Sequence, residues 1–206
     1  MSTAIEAPRL TPKQAARRAR VITAALTLAA EGGYDAVQMR EVSQAADVAL
    51  GTIYRYFESK DHLLAAAWVE WTAQLERRLA KAPLPEQSTS EQTVALLRRA
   101  CEAIERQPRL TAALVKSLSS SDPGVSESTR QVRDQIDVMM SGILEHLDAD
   151  VREGILAIIR HVWNSTLVAW AHGRLPISGV GDELERAARL LLAPYDDPRN
   201  GARRRS

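Results

Sequence analysis

The sequence predicts an all-α protein: a small N-terminal domain followed by a larger helical one, about nine helices in total. Three observations carry that prediction. Apolar residues recur at helical spacing along most of the chain, strand-like alternation appears nowhere, and glycine, proline and serine clusters separate the periodic segments. At 206 residues and 45% hydrophobic composition, the chain suits one small domain and one of ordinary size.

Residues 1–10 read as a disordered tail. Thr11-Pro12-Lys13-Gln14 opens the first helix, with threonine at the N-cap, proline at the first helical position and glutamine placed to close a capping box. Ala15, Ala19, Ile22, Leu26 and Ala29 form its apolar stripe, and Gly32-Gly33 ends it. Between residues 7 and 30 there are five basic residues, Arg9, Lys13, Arg17, Arg18 and Arg20, and no acidic one. Such a stripe suits phosphates; a solvated surface is the competing reading.

The stretch 39–64, MREVSQAADVALGTIYRYFESKDHLL, reads as two short helices at a tight turn and the start of a third. Met39, Val42, Ala45 and Ala46 give the first an apolar face. Asp47 breaks it, since aspartate tolerates the left-handed conformation better than most non-glycine residues. The second runs over about 50–57 with Ile53 and Phe57 inward. Its other face shows Leu50, Gly51, Thr52, Tyr54, Arg55 and Tyr56, a poor set for a core and a good one for phosphates and bases. Helix, short turn, helix is the helix-turn-helix, whose second helix enters the DNA major groove. Leu50 and Thr52 can touch thymine methyls, and Thr52 can also bond a base edge. Tyr54 and Tyr56 can donate to phosphate, Arg40 fits a phosphate, and Arg55 reaches either phosphate or guanine. Competing readings are that Tyr56 packs inward and that Arg40 pairs with a carboxylate.

GTIYRYFESKDHLL, preceded by AADVAL, resembles the most recognisable part of the TetR family of bacterial one-component regulators. The resemblance implies a helix-turn-helix DNA-binding domain over 11–60 and a ligand-binding and dimerisation domain over 61–194. It also matches Lys60 to a residue that commonly grips the DNA backbone. Two departures stand out: Asp47 where many relatives have glycine, and Ala49 where they have serine. Ala49 cannot accept a hydrogen bond from the orphan amides of the helix behind it, which leaves them for a DNA phosphate.

In the second domain, Ser59 caps a fourth helix with Asp61 in its first turn. Leu64, Trp68, Trp71, Leu75 and Leu79 line one face of it, and it ends near Pro83. This helix starts in the DNA-binding domain and finishes in the other, so it is the natural mechanical link. Ser88 and Glu91 make a capping box for a fifth helix over about 89–106, bearing Val94, Leu97, Cys101 and Ile104. A sixth, over about 108–119, carries Leu110, Leu114 and Leu118, and 119–124 is a surface loop. The seventh, over about 125–147, has Val132, Ile136, Met139, Met140, Ile143 and Leu147.

The eighth, over about 149–172, is apolar on two faces: Val151, Ile155, Ile158 and Val162 on one, Ile159, Trp163, Leu167 and Trp170 on the other. A helix apolar on opposite sides must be covered on both. Asp182 and Glu185 begin a ninth, which runs to Pro194, and 195–206 is a flexible basic tail. The family resemblance implies that one face of the eighth helix lines a cavity while the other pairs with the ninth in a homodimer. Two-fold symmetry would then place two reading helices ~34–36 Å apart on a palindromic double-stranded operator.

Trp68, Trp71, Cys101, Leu114, Leu118, Met139, Met140, Ile143, Trp163, Asn164, Leu167 and Trp170 are the candidates to surround a mostly apolar effector cavity, with Asn164 orienting the ligand. Plain core is the competing reading of such stripes. GGYDAVQMREVSQAADVALGTIYRYFESKDHLL, with QPRLTAAL and VWNSTLVAW, is similar more specifically to the actinobacterial repressors of cholesterol and steroid catabolism. That likeness implies a steroid coenzyme A thioester as inducer, which needs a long apolar tunnel with basic residues at its mouth. A same-fold regulator sensing a fatty acyl thioester or a drug, or acting without a ligand, is the alternative.

Composition narrows the rest. Net charge is only +1, so nucleic-acid binding has to come from charge distribution. The single cysteine excludes an intrachain disulfide and suits a reducing cytoplasm. His62, His146, His161 and His172 lack ligand spacing, so no metal or cofactor is expected. Residues 21–30 mimic a signal peptide but start too far from Met1 and keep helical periodicity. Nothing approaches the ~18 to 20 apolar residues of a membrane span. Phosphate loops, nucleophile elbows and catalytic constellations are absent from the sequence, so an enzyme is not expected.

Overall fold

The computed structural model describes residues 10–84, 88–118 and 120–196. Among them the elements are helical: α1 (Pro12–Ala36), α2 (Met39–Ala46), α3 (Leu50–Tyr54), α4 (Lys60–Leu79), α5 (Thr89–Glu105), α6 (Pro108–Ser117), α7 (Pro123–Leu144), α8 (Ala149–Ala171), α9 (Ile177–Leu192) and a closing 3₁₀ turn (Ala193–Tyr195). The expected tails fall on residues outside this set except for Leu10, Tyr195 and Asp196.

Local chemistry sets most of the boundaries. Thr11 accepts from the Gln14 amide while the Gln14 side chain accepts from the Thr11 amide, closing the capping box on α1. Gly33, at φ 70°, breaks the helical path of α1 near its end. Asp47 is left-handed at φ 50°, and the Ser43 hydroxyl donates to the Val48 carbonyl at 2.7 Å to lock the turn. Ser59 caps α4, accepting from the His62 amide at 3.0 Å.

Four expectations are corrected. The α3 helix ends at Tyr54 instead of Phe57, because the amides of Tyr56 and Phe57 both turn back to the Ile53 carbonyl. On α1, Ala15 and Ala19 are exposed, and the buried face is Val21, Ile22, Ala24, Ala25 and Ala29. Capped by Asp122, α7 spans Pro123–Leu144, earlier than expected at both ends. Finally, α9 starts at Ile177 and not at Asp182. The added turn includes Gly181, which is buried where α9 meets α5. A Cβ at Gly181 would lie 3.8 Å from Arg98 Nη1 and 4.0 Å from Cys101 Sγ.

The organising helix is α4. Leu63, Leu64, Ala65, Ala66, Ala67, Trp68, Trp71, Thr72 and Leu75 are all buried on it, against α1, α6 and α7. Each large apolar side chain removed from water in this way contributes roughly 1.5–3 kcal/mol. Its first turns complete the core beneath α3, with Phe57, Ile53 and Val21 fully enclosed. Its later turns belong to the larger domain, so one rigid element runs through both. On α8, Ile155, Leu156, Ile159 and Leu167 are buried, whereas Ile158 is 48% exposed.

Candidate nucleic-acid interface and ligand chamber

The reading head is α3 and the residues around it. Ile53 and Phe57 anchor it, and Gly51, Tyr54 and Arg55 are exposed, with Leu50 and Thr52 half-buried beside them. A Cβ on Gly51 would meet nothing within 4 Å, so this edge is open to a close partner. Ala49 at the N-cap makes no side-chain hydrogen bond to the first amides. Arg40, in the first turn of α2, is exposed and forms no ion pair with a described residue, against the carboxylate-pair reading.

Two expected contact residues sit differently. Tyr56 is half-buried against the core, its ring 6.3 Å from that of Phe57, which supports the inward-packing reading. The Lys60 ammonium lies 3.8 Å from the centroid of the Tyr34 ring, and burial pulls its pKa down. The basic stripe of α1 also divides. Arg18 lies half-buried with its guanidinium 5.1 Å from the Phe57 ring centroid, and burial lowers its pKa. Arg18 is thus a packing residue, while Lys13 and Arg20 remain on the surface.

Several polar contacts join the head to the larger domain, alongside the packing of α1 on α6. Tyr34, at the end of α1, donates to Asp61 Oδ1 at 2.6 Å, and the ammonium of Lys116 from α6 lies 4.3 Å from its ring. Burial first, then that hydrogen bond, pushes the Tyr34 hydroxyl up to about 12. Arg109 of α6 donates to the Glu31 carbonyl at 2.8 Å. Ser59 Oγ, at the α4 cap, donates to Asp122 Oδ2 at 2.6 Å, and Asp122 Oδ1 accepts from the Gly124 amide at 2.8 Å. One carboxylate therefore ties the start of α4 to the start of α7. The His62 ring lies against Gly124 and meets the Phe57 ring edge-on at 5.6 Å.

Beneath the later turns of α4 lies a narrow apolar chamber of about 50 Å³, walled by α4, α5, α6, α7 and α8. Of the predicted ligand residues, Trp68, Trp71, Leu114, Met139, Met140, Trp163 and Leu167 line it. A wider cleft of about 310 Å³ adjoins it through Trp68, Val115, Ile136, Arg160, Trp163 and Leu167. Leu118 and Asn164 line only this outer cleft, together with Arg133 and His161. Arg160 borders both spaces and donates to Asp137 Oδ1 at 2.5 Å.

Three predicted lining residues do not reach either space. Cys101 faces α9 near Gly181, and burial pushes its thiol up to about 11. Ile143 is buried elsewhere in the core, and Trp170 packs half-buried against it. Residues missed from sequence include Thr72, Leu75 and Leu79 on α4, Leu96, Leu97, Ala100 and Ile104 on α5, Thr111 and Val115 on α6, and Ile136, Ile159 and Arg160. Helical spacing was the available signal, since Thr72 follows Trp68 by one turn.

A helix-turn-helix head joined by a shared helix to a chambered helical domain defines a one-component regulator. Comparisons place it more closely. Residues 21–67 match the tetR family of bacterial regulatory proteins, and residues 87–191 match the tetracyclin repressor-like C-terminal domain. The chain is 37% identical over 182 residues to the HTH-type transcriptional repressor KstR of Rhodococcus jostii, covering 87% of this chain and 84% of that one. A solved TetR transcriptional regulator from Rhodococcus sp. RHA1 is 29% identical, with a TM-score of 0.78 and coverage of 87% and 97%. Thermus thermophilus FadR, solved in complex with lauroyl-CoA, shares the fold at 24% identity, with a TM-score of 0.66 and coverage of 85% and 93%. The chain belongs to the TetR family, and it is a TetR-type transcriptional repressor homologous to KstR. No helix among the described residues is long and apolar enough to cross a membrane.

Proposed function

We propose that this chain is a homodimeric repressor released from a palindromic operator by a large apolar acid carried as its coenzyme A thioester, a steroid acid being the first candidate. The carrying observation is the chamber against the buried face of α4, the helix that starts beside the reading head. An occupant of that chamber presses on Trp68, Trp71 and Leu75, and so on an element common to both domains. The resemblance to steroid-catabolism repressors favours the steroid, and a protein of the same fold holds an acyl-CoA. The thioester's polar half fits the outer cleft, where Arg133, Arg160 and His161 lie.

In this reading residues 11–60 bind DNA through Arg40, Leu50, Gly51, Thr52, Tyr54 and Arg55, with Tyr56 and Lys60 supporting the head from behind. Residues 61–194 bind the effector and dimerise through α8 and α9. Ile158 on α8 and Leu190 on α9, 48% and 73% exposed, are the apolar residues such an interface would cover. The small resting volume favours a second reading, in which the chamber is closed core and no effector acts.

Operator binding, with and without a cholesterol-derived coenzyme A thioester at fixed salt, tests the proposal. Release with a reciprocal coupling of at least ~1–3 kcal/mol is expected. Tight operator binding by a protein that does not take up the thioester refutes the effector class. Thioester uptake that leaves operator affinity unchanged refutes the coupling through α4.

A further inference from the structure

The wall of the inner chamber holds one hydroxyl with nothing to bond. Thr72, midway along α4, is only 3% exposed, lines the chamber, and its Oγ1 has no hydrogen-bond partner among the described residues. A helical threonine has an easy alternative, donation to the carbonyl one turn back. Thr23, Thr27, Thr129 and Thr166 all do so, at 2.7 to 3.1 Å. Thr72 does not. Three other polar groups of the wall are engaged: Thr111 with the Gln107 carbonyl at 2.9 Å, Trp71 with Gln107 Oε1 at 3.2 Å, and Arg160 with Asp137. A buried unpaired hydroxyl destabilises a fold that valine at the same volume would not, so it needs a reason.

We propose that Thr72 determines specificity inside the chamber by hydrogen-bonding a single hydroxyl or keto oxygen carried on the otherwise apolar body of the effector. This rests on the reading that the chamber receives an effector, and goes beyond it by naming the feature recognised there. A plain alkyl chain leaves the Thr72 hydroxyl as it finds it and gains nothing from it. An oxygen at the matching position gains a bond among apolar walls, where such bonds discriminate most strongly. Because Thr72 is on α4, the same bond anchors the ligand to the helix shared with the reading head.

Fluorescence of Trp68, Trp71 and Trp163, which line the chamber, reports occupancy directly. Two rigid probes differing by one oxygen, androst-4-en-3-one and androst-4-ene, are titrated into the full chain and into its Thr72→Val and Thr72→Ser variants. The wild type is expected to prefer the ketone by about ten-fold. Thr72→Ser keeps the preference; Thr72→Val abolishes it while the ligand-free melting temperature stays level or rises. A purely packing role for Thr72 predicts the reverse in melting temperature and no change in preference. Equal affinity of the wild type for both probes, a preference that survives Thr72→Val, or no binding of either probe overturns the proposal. Coenzyme A is absent from these probes, so a failure of thioester-driven operator release is read separately.

Discussion

Replacing Gly124 with alanine tests the joint between α4 and α7. The added Cβ would lie 2.5 Å from His62 Cε1 and 2.6 Å from both Cδ2 and Cγ, so it meets the flat of the imidazole rather than a flexible tip. The ring cannot easily retreat, because Phe57 lies edge-on to it and Nδ1 accepts from the Glu58 amide at 3.4 Å. Overpacking of this kind costs roughly 1–3 kcal/mol. Alanine's better helix propensity returns at most about 1 kcal/mol, less in a first turn. Gly124→Ala should therefore range from neutral to about 3 kcal/mol less stable. Gly142, on the same helix with nothing within 4 Å of its absent Cβ, is the control. Gly142→Ala keeps the propensity gain of about 1 kcal/mol, so the two variants should differ by at least ~1 kcal/mol. Thermal melts at equal protein concentration resolve that difference as about 2–4 °C or more for a chain of this size. If Gly124→Ala melts as high as Gly142→Ala, the His62–Gly124 contact does not constrain the joint.

Three further outcomes are expected. Arg40→Ala leaves the melting temperature unchanged, since the side chain is exposed, but lowers the slope of log affinity against log salt by about 1; an unchanged slope removes Arg40 from the DNA interface. The Asp122 carboxyl is held below the ordinary carboxylate range, chiefly by the Ser59 hydroxyl and also by the Gly124 amide. Its contribution is complete above the unfolded value of ~3.9 and disappears as pH falls through the lower folded value. Asp122→Asn should accordingly flatten the acid limb of a stability curve, and an unaltered limb refutes the assignment. Cys101, its thiol raised to about 11 by burial, should resist iodoacetamide at pH 8 in the folded protein and react after urea unfolding; equal rates would place it at the surface.

Short-range chemistry was legible in the sequence, and long-range pairing was not. The Thr11 box, the left-handed Asp47 and the Ser59 cap each involve side chains within a few residues, so type and spacing decide them. Asp122 reaches Ser59 across 63 positions, and Ser90 meets Asp196 across 106. No periodicity encodes such partners. Arg18 shows a related limit: its charge suggested the surface, whereas its guanidinium lies over Phe57. For the chamber, the apolar stripes identified α4, α6, α7 and α8. They could not distinguish Met140, which lines the space, from Ile143, which packs elsewhere, because both lie on buried helical faces. Thr72 was passed over because a polar residue in an apolar stripe reads as an interruption.

The narrowness of the inner chamber has a bearing on sensitivity. A space of about 50 Å³ holds little more than a water or two, so any sizeable occupant must first spread the packed walls. Its observed affinity is then the intrinsic affinity multiplied by the fraction of molecules already spread. If the chamber receives an effector as proposed, tight packing of Met140, Leu114 and Ile159 sets a threshold, and the cohesion of the resting core becomes the dial that fixes how much of it is needed before a response begins.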